Sequence, residues 1–122
     1  MSIAEPEIQV LVLIRDLIFE TKIRSTAQAL GVVSACVRSC DELAGKLEGL
    51  DRPLVLVDLN FPDEEGLRAI AICKEHASGP RTIAFVSHVD QERAAKASTA
   101  GADSVLPRSA FARDLPEILG RL

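Results

Sequence analysis

Tryptophan and tyrosine are absent from this chain of 122 residues, and four phenylalanines supply all of its aromatic surface. Stacking platforms for bases or sugars are therefore not built in, although single phenylalanines can still serve one at a time. Cysteine is sparse and odd in number, with only Cys36, Cys40 and Cys73. The C-x-x-x-C spacing of the first two has no His or Cys cluster to complete a zinc site. All three read as reduced thiols of a cytoplasmic protein. No two Lys or Arg residues are adjacent and the net charge is -4, so direct nucleic-acid binding through a broad basic face is not expected. No aliphatic run approaches a membrane span, and Met1 to Glu7 is too short and acidic for a leader. A Gly-rich phosphate loop is missing too. Arg15-Asp16-Leu17-Ile18 follows the first apolar run, where a nucleotide binder would carry glycines.

What is present is an alternation. Residues 1–122 read as a single domain, with 48% hydrophobic and 26% charged residues, enough core to fold alone. Ile8 to Ile14, Val32 to Val37, Leu54 to Val57, Thr82 to Val86 and Ser104 to Leu106 read as strands. Between them the apolar period lengthens to that of helices. The first is expected over Leu17 to Leu30, with Leu17, Ile18, Thr21, Ala27 and Leu30 sharing one face and Glu20 facing out; Gly31 stops it. Ser39 or Asp41 caps a second, and a third follows Gly66 as far as His76. Asp90 caps an Ala-rich fourth over Gln91 to Ala100, which buries little area per residue and should be lightly held. Ser109 is expected to cap the last helix, Phe111 to Leu119, in which Pro116 predicts a kink or a break. Five strands alternating with five helices mean an α/β fold: a five-stranded parallel sheet, doubly wound, in a three-layer sandwich.

Leu54-Val55-Leu56-Val57-Asp58 is the stretch on which the function turns. Four aliphatic residues deliver a carboxylate to the carboxyl end of a strand buried on both faces, where ligand crevices of open α/β sheets lie. Arg15-Asp16, Ser87 and Arg108 close other strands and should share that edge. A carboxylate so placed can attack phosphorus to form an aspartyl phosphate, given a divalent cation to shield the approach. Asp16, Asp58 and the backbone carbonyl of Asn60 would be oxygen ligands for Mg²⁺. Ser87 would donate to a phosphoryl oxygen and Arg108 would neutralise it.

Along essentially its whole length the chain resembles the receiver (phosphoacceptor) domains of two-component response regulators, which are flavodoxin-like. The resemblance rests on Val55 to Pro62 with Gly66 closing the turn, on Ser87, and on Gly101-Ala102-Asp103 leading to Leu106-Pro107-Arg108-Ser109. It implies that Asp58 is the phosphorylated aspartate, Ser87 the conserved hydroxyl and Asp16 the second of a metal-binding acidic pair. Four departures stand out. Arg15 occupies the place of the first acid, Arg108 replaces a lysine, Ser109 stands where a proline usually follows it, and Val105 falls where the family carries an aromatic reporter.

The departures imply an atypical member. Arg15 removes a metal-directed charge and adds an opposed one, so Mg²⁺ binding should be weakened, and its guanidinium can itself pair with Asp58. The expected function is signalling mainly by protein–protein interaction, with Asp58 phosphorylation weakened or lost. Its output surface would be the fourth helix, the fifth strand and the last helix. At most the domain would phosphorylate and dephosphorylate itself. Expected partners are a histidine kinase or a downstream signalling protein, and a homodimer through the fourth or last helix would suit the family. A fully active receiver, phosphorylated on Asp58 in a Mg²⁺-dependent reaction, is the alternative; a small flavodoxin-like nucleotide binder is another. His88, after Ser87, reads as an exposed loop histidine at the crevice rim.

Overall fold

The computed structural model describes residues 7–60, 64–87 and 90–122. Expectations for Phe61, Pro62, Asp63 and His88 lie outside the described residues. In chain order the elements are β1 (Val10–Leu13), α1 (Leu17–Ala29), β2 (Ser34–Val37), α2 (Cys40–Leu47), β3 (Leu54–Asp58), α3 (Glu65–Glu75), β4 (Arg81–Val86), α4 (Gln91–Ala100), β5 (Ser104–Pro107) and α5 (Arg108–Gly120). The strands form one parallel sheet in the order β2-β1-β3-β4-β5.

Strand parity sorts the aliphatic residues into two cores. Leu11, Leu13, Val55 and Val57 pack on one face with Leu43 and Leu47 of α2, Ile70 of α3 and Ala97 of α4. Val10, Val12, Leu54 and Leu56 pack on the other with Phe19 and Ile23 of α1 and Phe111, Leu115 and Leu119 of α5. Both faces are covered, which is why the strands read as unbroken aliphatic runs rather than alternating ones. Three of the four phenylalanines meet in the second core. Phe85 stacks on Phe111 with ring centroids 4.5 Å apart, and Phe19 lies 5.3 Å from Phe85 and 5.8 Å from Phe111.

The face of α1 differs from the one its apolar residues predict. Leu17 is 66% and Ile18 86% exposed, while Phe19, Glu20, Ile23 and Ala27 are buried. Glu20 turns inward because Arg38 meets it there, with Nη2 donating to both carboxylate oxygens at 3.0 and 2.8 Å. The Arg38 Nη1 donates to the Ile14 carbonyl at 2.8 Å, so one guanidinium ties α1 and β2 to the end of β1. Burial alone would raise the Glu20 pKa. The Arg38 bonds and the Cys36 thiol outweigh it and hold the carboxyl below its usual value.

Two expectations about α5 are corrected. Ser109 does not cap it: the helix begins at Arg108, with Pro107 at the N-cap and no side-chain cap bond. Pro107 has its φ already set, so the chain turns into the helix there. Pro116 neither breaks nor ends α5, which runs to Gly120. The proline is exposed, so the bond its missing N–H forfeits lies toward solvent rather than in the core. Elsewhere the caps follow the sequence: Ser39 Oγ accepts from Glu42 N at 3.1 Å, and Asp90 Oδ1 from Arg93 N at 3.0 Å. Among the described residues no helix is long and apolar enough to cross a membrane. The ring of His76, beyond α3, lies 2.8 Å from Ser78 Oγ and 3.2 Å from Glu48 Oε1.

Candidate functional site

The sheet order reverses direction between β1 and β3, and the carboxyl ends of these neighbours form the crevice expected at such a switch point. Asp58 is the last residue of β3 and lies opposite Phe85 in the ladder with β4. It shares parity with Leu54 and Leu56, the residues facing α1 and α5. Only 4% of it is exposed. Its Oδ1 accepts from the backbone N–H of Asn60 at 2.9 Å, and the Leu59 N–H donates to the Phe85 carbonyl at 2.9 Å. Burial is the dominant influence on the carboxyl and pushes its pKa up. The Asn60 N–H and the cations Arg108 and Arg93 oppose that rise only in part.

The β1–β3 register pairs Leu13 with Val57, so one step further Ile14 stands level with Asp58. Ile14 is fully buried. The nearest β1 neighbour of the carboxylate is therefore an aliphatic side chain, and Arg15, the next residue, is exposed. Asp16 comes one residue later and serves as the N-cap of α1. Its Oδ1 accepts from Ile18 N at 3.0 Å and Phe19 N at 3.1 Å, and its Oδ2 accepts from Arg108 Nη2 at 2.8 Å. The Phe19 N–H is the largest influence on Asp16. With Arg108 it outweighs desolvation and holds the carboxyl below its usual value.

Arg108 comes from the first turn of α5, and its guanidinium carbon lies 4.6 Å from the centroid of the Phe19 ring. A planar cation held between a carboxylate and an aromatic face is a well-determined arrangement, which an ammonium would not reproduce. Asp16, Asn60, Ser87 and Arg108 line a common cavity of about 510 Å³, floored by Phe19 and edged by Ile18 and Lys22. Four of the residues singled out from sequence are thus brought together; Asp58 does not line the cavity, but its carboxyl feels the charges of Arg108 and Asp16.

Sequence reading missed Arg93. It stands in the first turn of α4, and its Nη1 donates to the Leu59 carbonyl at 2.9 Å, one residue past Asp58. The available signal was weak: an Arg three residues after a capping Asp, in a helix otherwise rich in alanine. Gly66 also has a sharper role than closing a turn. It lies in α3, and a Cβ there would meet the Asp58 carbonyl oxygen at 3.0 Å and Leu59 Cα at 3.3 Å. Only a bare backbone lets α3 approach the end of β3 this closely.

The oxygen donors available to a cation are few. Asp16 has both oxygens engaged, Asp58 has one engaged and is buried, and Asn60 contributes a carbonyl. Among the described residues no three His, Cys, Asp or Glu side chains form a group that could hold a metal. Mg²⁺ takes one or two carboxylates together with carbonyl and water oxygens, so Asp16, Asp58 and the Asn60 carbonyl are donors of the right kind, with Asp16 engaged elsewhere in this conformation.

No protein-family model matches the chain, and no curated protein matches it in sequence. Solved structures do match in fold. A response regulator receiver domain (CheY-like) from Methanospirillum hungatei superposes with a TM-score of 0.78 at 21% identity, covering 95% of this chain and 93% of its own. The receiver domain of a sensor histidine kinase from Pseudomonas aeruginosa, with a magnesium ion coordinated in its active site cleft, gives 0.77 at 20% identity, covering 92% and 93%. A response regulator receiver domain from Rhodospirillum rubrum gives 0.72 at 19%, covering 92% and 91%. The chain has the receiver fold, a flavodoxin-like five-stranded α/β sandwich.

Proposed function

We propose that this chain is a receiver-type signalling domain of the two-component kind that works mainly through protein–protein contact, with phosphorylation of Asp58 weakened. The observation that carries this reading is the Arg108–Asp16 ion pair. It engages Asp16, the carboxylate that would join Asp58 in recruiting a metal, and the same carboxylate is already the cap of α1. Arg15, next to Asp16 in the chain and exposed, would add a positive charge to the same loop. Asp58 keeps its place at the end of β3, where burial disfavours the negative charge that attack on phosphorus needs.

A histidine kinase or a downstream signalling protein is the partner class that suits this fold, and α4, β5 and α5 are the proposed contact surface, for such a partner or for a second copy. The domain would make no nucleic-acid contact of its own and would act in the cytoplasm. Incubation with Mg²⁺ and acetyl phosphate, followed by intact-mass measurement, tests the reading. The protein should remain largely unmodified, and a stoichiometric aspartyl phosphate would refute it.

One observation favours a second reading, that of an active receiver phosphorylated on Asp58. Ser87, Arg108 and Asn60 line one cavity, and the Arg108 charge acts on the Asp58 carboxyl, as a phosphoryl group would need. In that case Asp58, Asn60 and a released Asp16 hold the metal, Ser87 donates to a phosphoryl oxygen and Arg108 neutralises it. NMR shifts around Asp58 that saturate at low Mg²⁺ concentrations would favour this second reading over the first.

A further inference from the structure

Arg93 bonds to two elements at once. Its backbone N–H and its guanidinium both engage Asp90, the N-cap of α4, with N to Oδ1 at 3.0 Å and Nε to Oδ2 at 3.5 Å. The far end of the same guanidinium donates to the Leu59 carbonyl at 2.9 Å. Leu59 is itself buried in the core beneath α3 and α4. The first turn of α4 is thereby tied to the backbone immediately after Asp58. One turn further along α4, Lys96 Nζ lies 3.9 Å from Glu64, the residue at the N-cap of α3, and 3.7 Å from Glu92.

The rest of α4 packs through small side chains, with Ala94 and Ala100 partly buried against the core. Ala97 is its only fully buried residue, so little apolar area fixes the helix against the sheet. The polar anchors of its first turn therefore weigh more than they would on a helix with a leucine face. A guanidinium also ranks its acceptors. A carboxylate or phosphoryl oxygen draws it more strongly than a neutral carbonyl does and offers two acceptors to its fork. Arg93 now holds a neutral carbonyl one residue from a buried carboxylate, so a change of charge at Asp58 alters the competition for it.

We propose that Arg93 is a positioning residue that couples the charge at Asp58 to the seating of α4. Charge at the end of β3 pulls on the guanidinium, which slackens or tightens its grip on Asp90 and Leu59 and so shifts the first turn of the helix. The electrostatic influence of Arg93 on the Asp58 carboxyl is consistent with this proximity. Such a route needs no rotating aromatic side chain on β5, where Val105 has no ring to turn. The inference rests on the reading of α4 as part of a signalling surface and names what regulates it.

Amide hydrogen exchange of residues 91–100 in four proteins tests the coupling: the native chain, Asp58→Asn, Arg93→Gln and the double variant. Removing the carboxylate should change α4 exchange severalfold while Arg93 is present and leave it unchanged in the Arg93→Gln background. A merely structural role for Arg93 predicts something else, namely that both substitutions loosen α4 independently and their effects add. An Asp58→Asn effect of equal size in both backgrounds, or none with Arg93 present, would overturn the proposal. Arg93→Lys guards against a misfolded variant. It keeps the charge but loses the fork, so it should fold like the native chain and transmit only part of the effect. Neither arm uses a phosphodonor, so uptake of phosphate by Asp58 would sink the proposed function without touching this result.

Discussion

Arg108 and Asp16, 92 residues apart in sequence, meet at 2.8 Å across the mouth of the crevice, the carboxylate half-exposed and the guanidinium stacked on Phe19. In the proposed reading the pair competes with any cation that would bind beside Asp58. Arg108→Ala removes a positive charge and releases Asp16 Oδ2, so Mg²⁺ should bind severalfold more tightly to the variant. NMR titration following the Asn60 and Ile18 amides checks this; an unchanged or weaker response would show that the pair does not limit metal binding.

Burial raises the pKa of Asp58 above the ordinary 3.8. A carboxyl that holds its proton more tightly folded than unfolded costs stability once ionised. That cost is absent below the unfolded value and complete above the folded one. Asp58→Asn keeps the acceptor for the Asn60 N–H and removes the charge. It should melt at a higher temperature than the native chain at pH 7, with the gap closing as the pH falls toward 3.8. Paired thermal melts across that range decide it, and a lower melting temperature for the variant at pH 7 would contradict the account.

The Glu20–Arg38 pair has the opposite sign. The Glu20 carboxyl is held below its ordinary 4.5, so its contribution is present above that value and is lost as the pH falls through the folded pKa. Arg38→Ala strands a carboxylate that is 6% exposed and takes the donor from the Ile14 carbonyl. We expect a loss of about 2 kcal/mol at pH 7 in urea unfolding, since a buried charge is left without its partner. The deficit should shrink under acid conditions.

Gly66→Ala should cost about 1–3 kcal/mol, because the added methyl meets the Asp58 and Leu59 backbone as well as the Leu59 side chain. The same substitution should disturb the Asp58 amide in an NMR spectrum. A silent substitution would mean that α3 can draw back from β3 freely.

Most of the fold was legible. Leu54 to Val57 is aliphatic throughout and Thr82 to Val86 is apolar after its threonine, and nothing local competes with a strand buried on both faces. The existence of every helix followed from the change of period, and the stops at Gly31 and Gly101 from glycines with positive φ. The orientation of α1 was not legible. Leu17 and Ile18 advertise an apolar face, yet Phe19 and Ile23 take it, since Asp16 caps the helix and Arg38 supplies a partner for Glu20. Helical periodicity carries no record of an arginine waiting on another strand.

The sequence by itself determined the sheet, its alternation with helices, and the delivery of Asp58 to a strand's carboxyl end, because each depends on short-range pattern and on parity along a strand. Only the tertiary structure decided what surrounds that carboxylate. Ile14 stands level with it by register, Asp16 is turned to the cap of α1 and to Arg108, and Arg93 reaches across from α4. These are encounters between residues from different elements, made when the helices dock, and their distances are set by packing rather than by spacing in the chain.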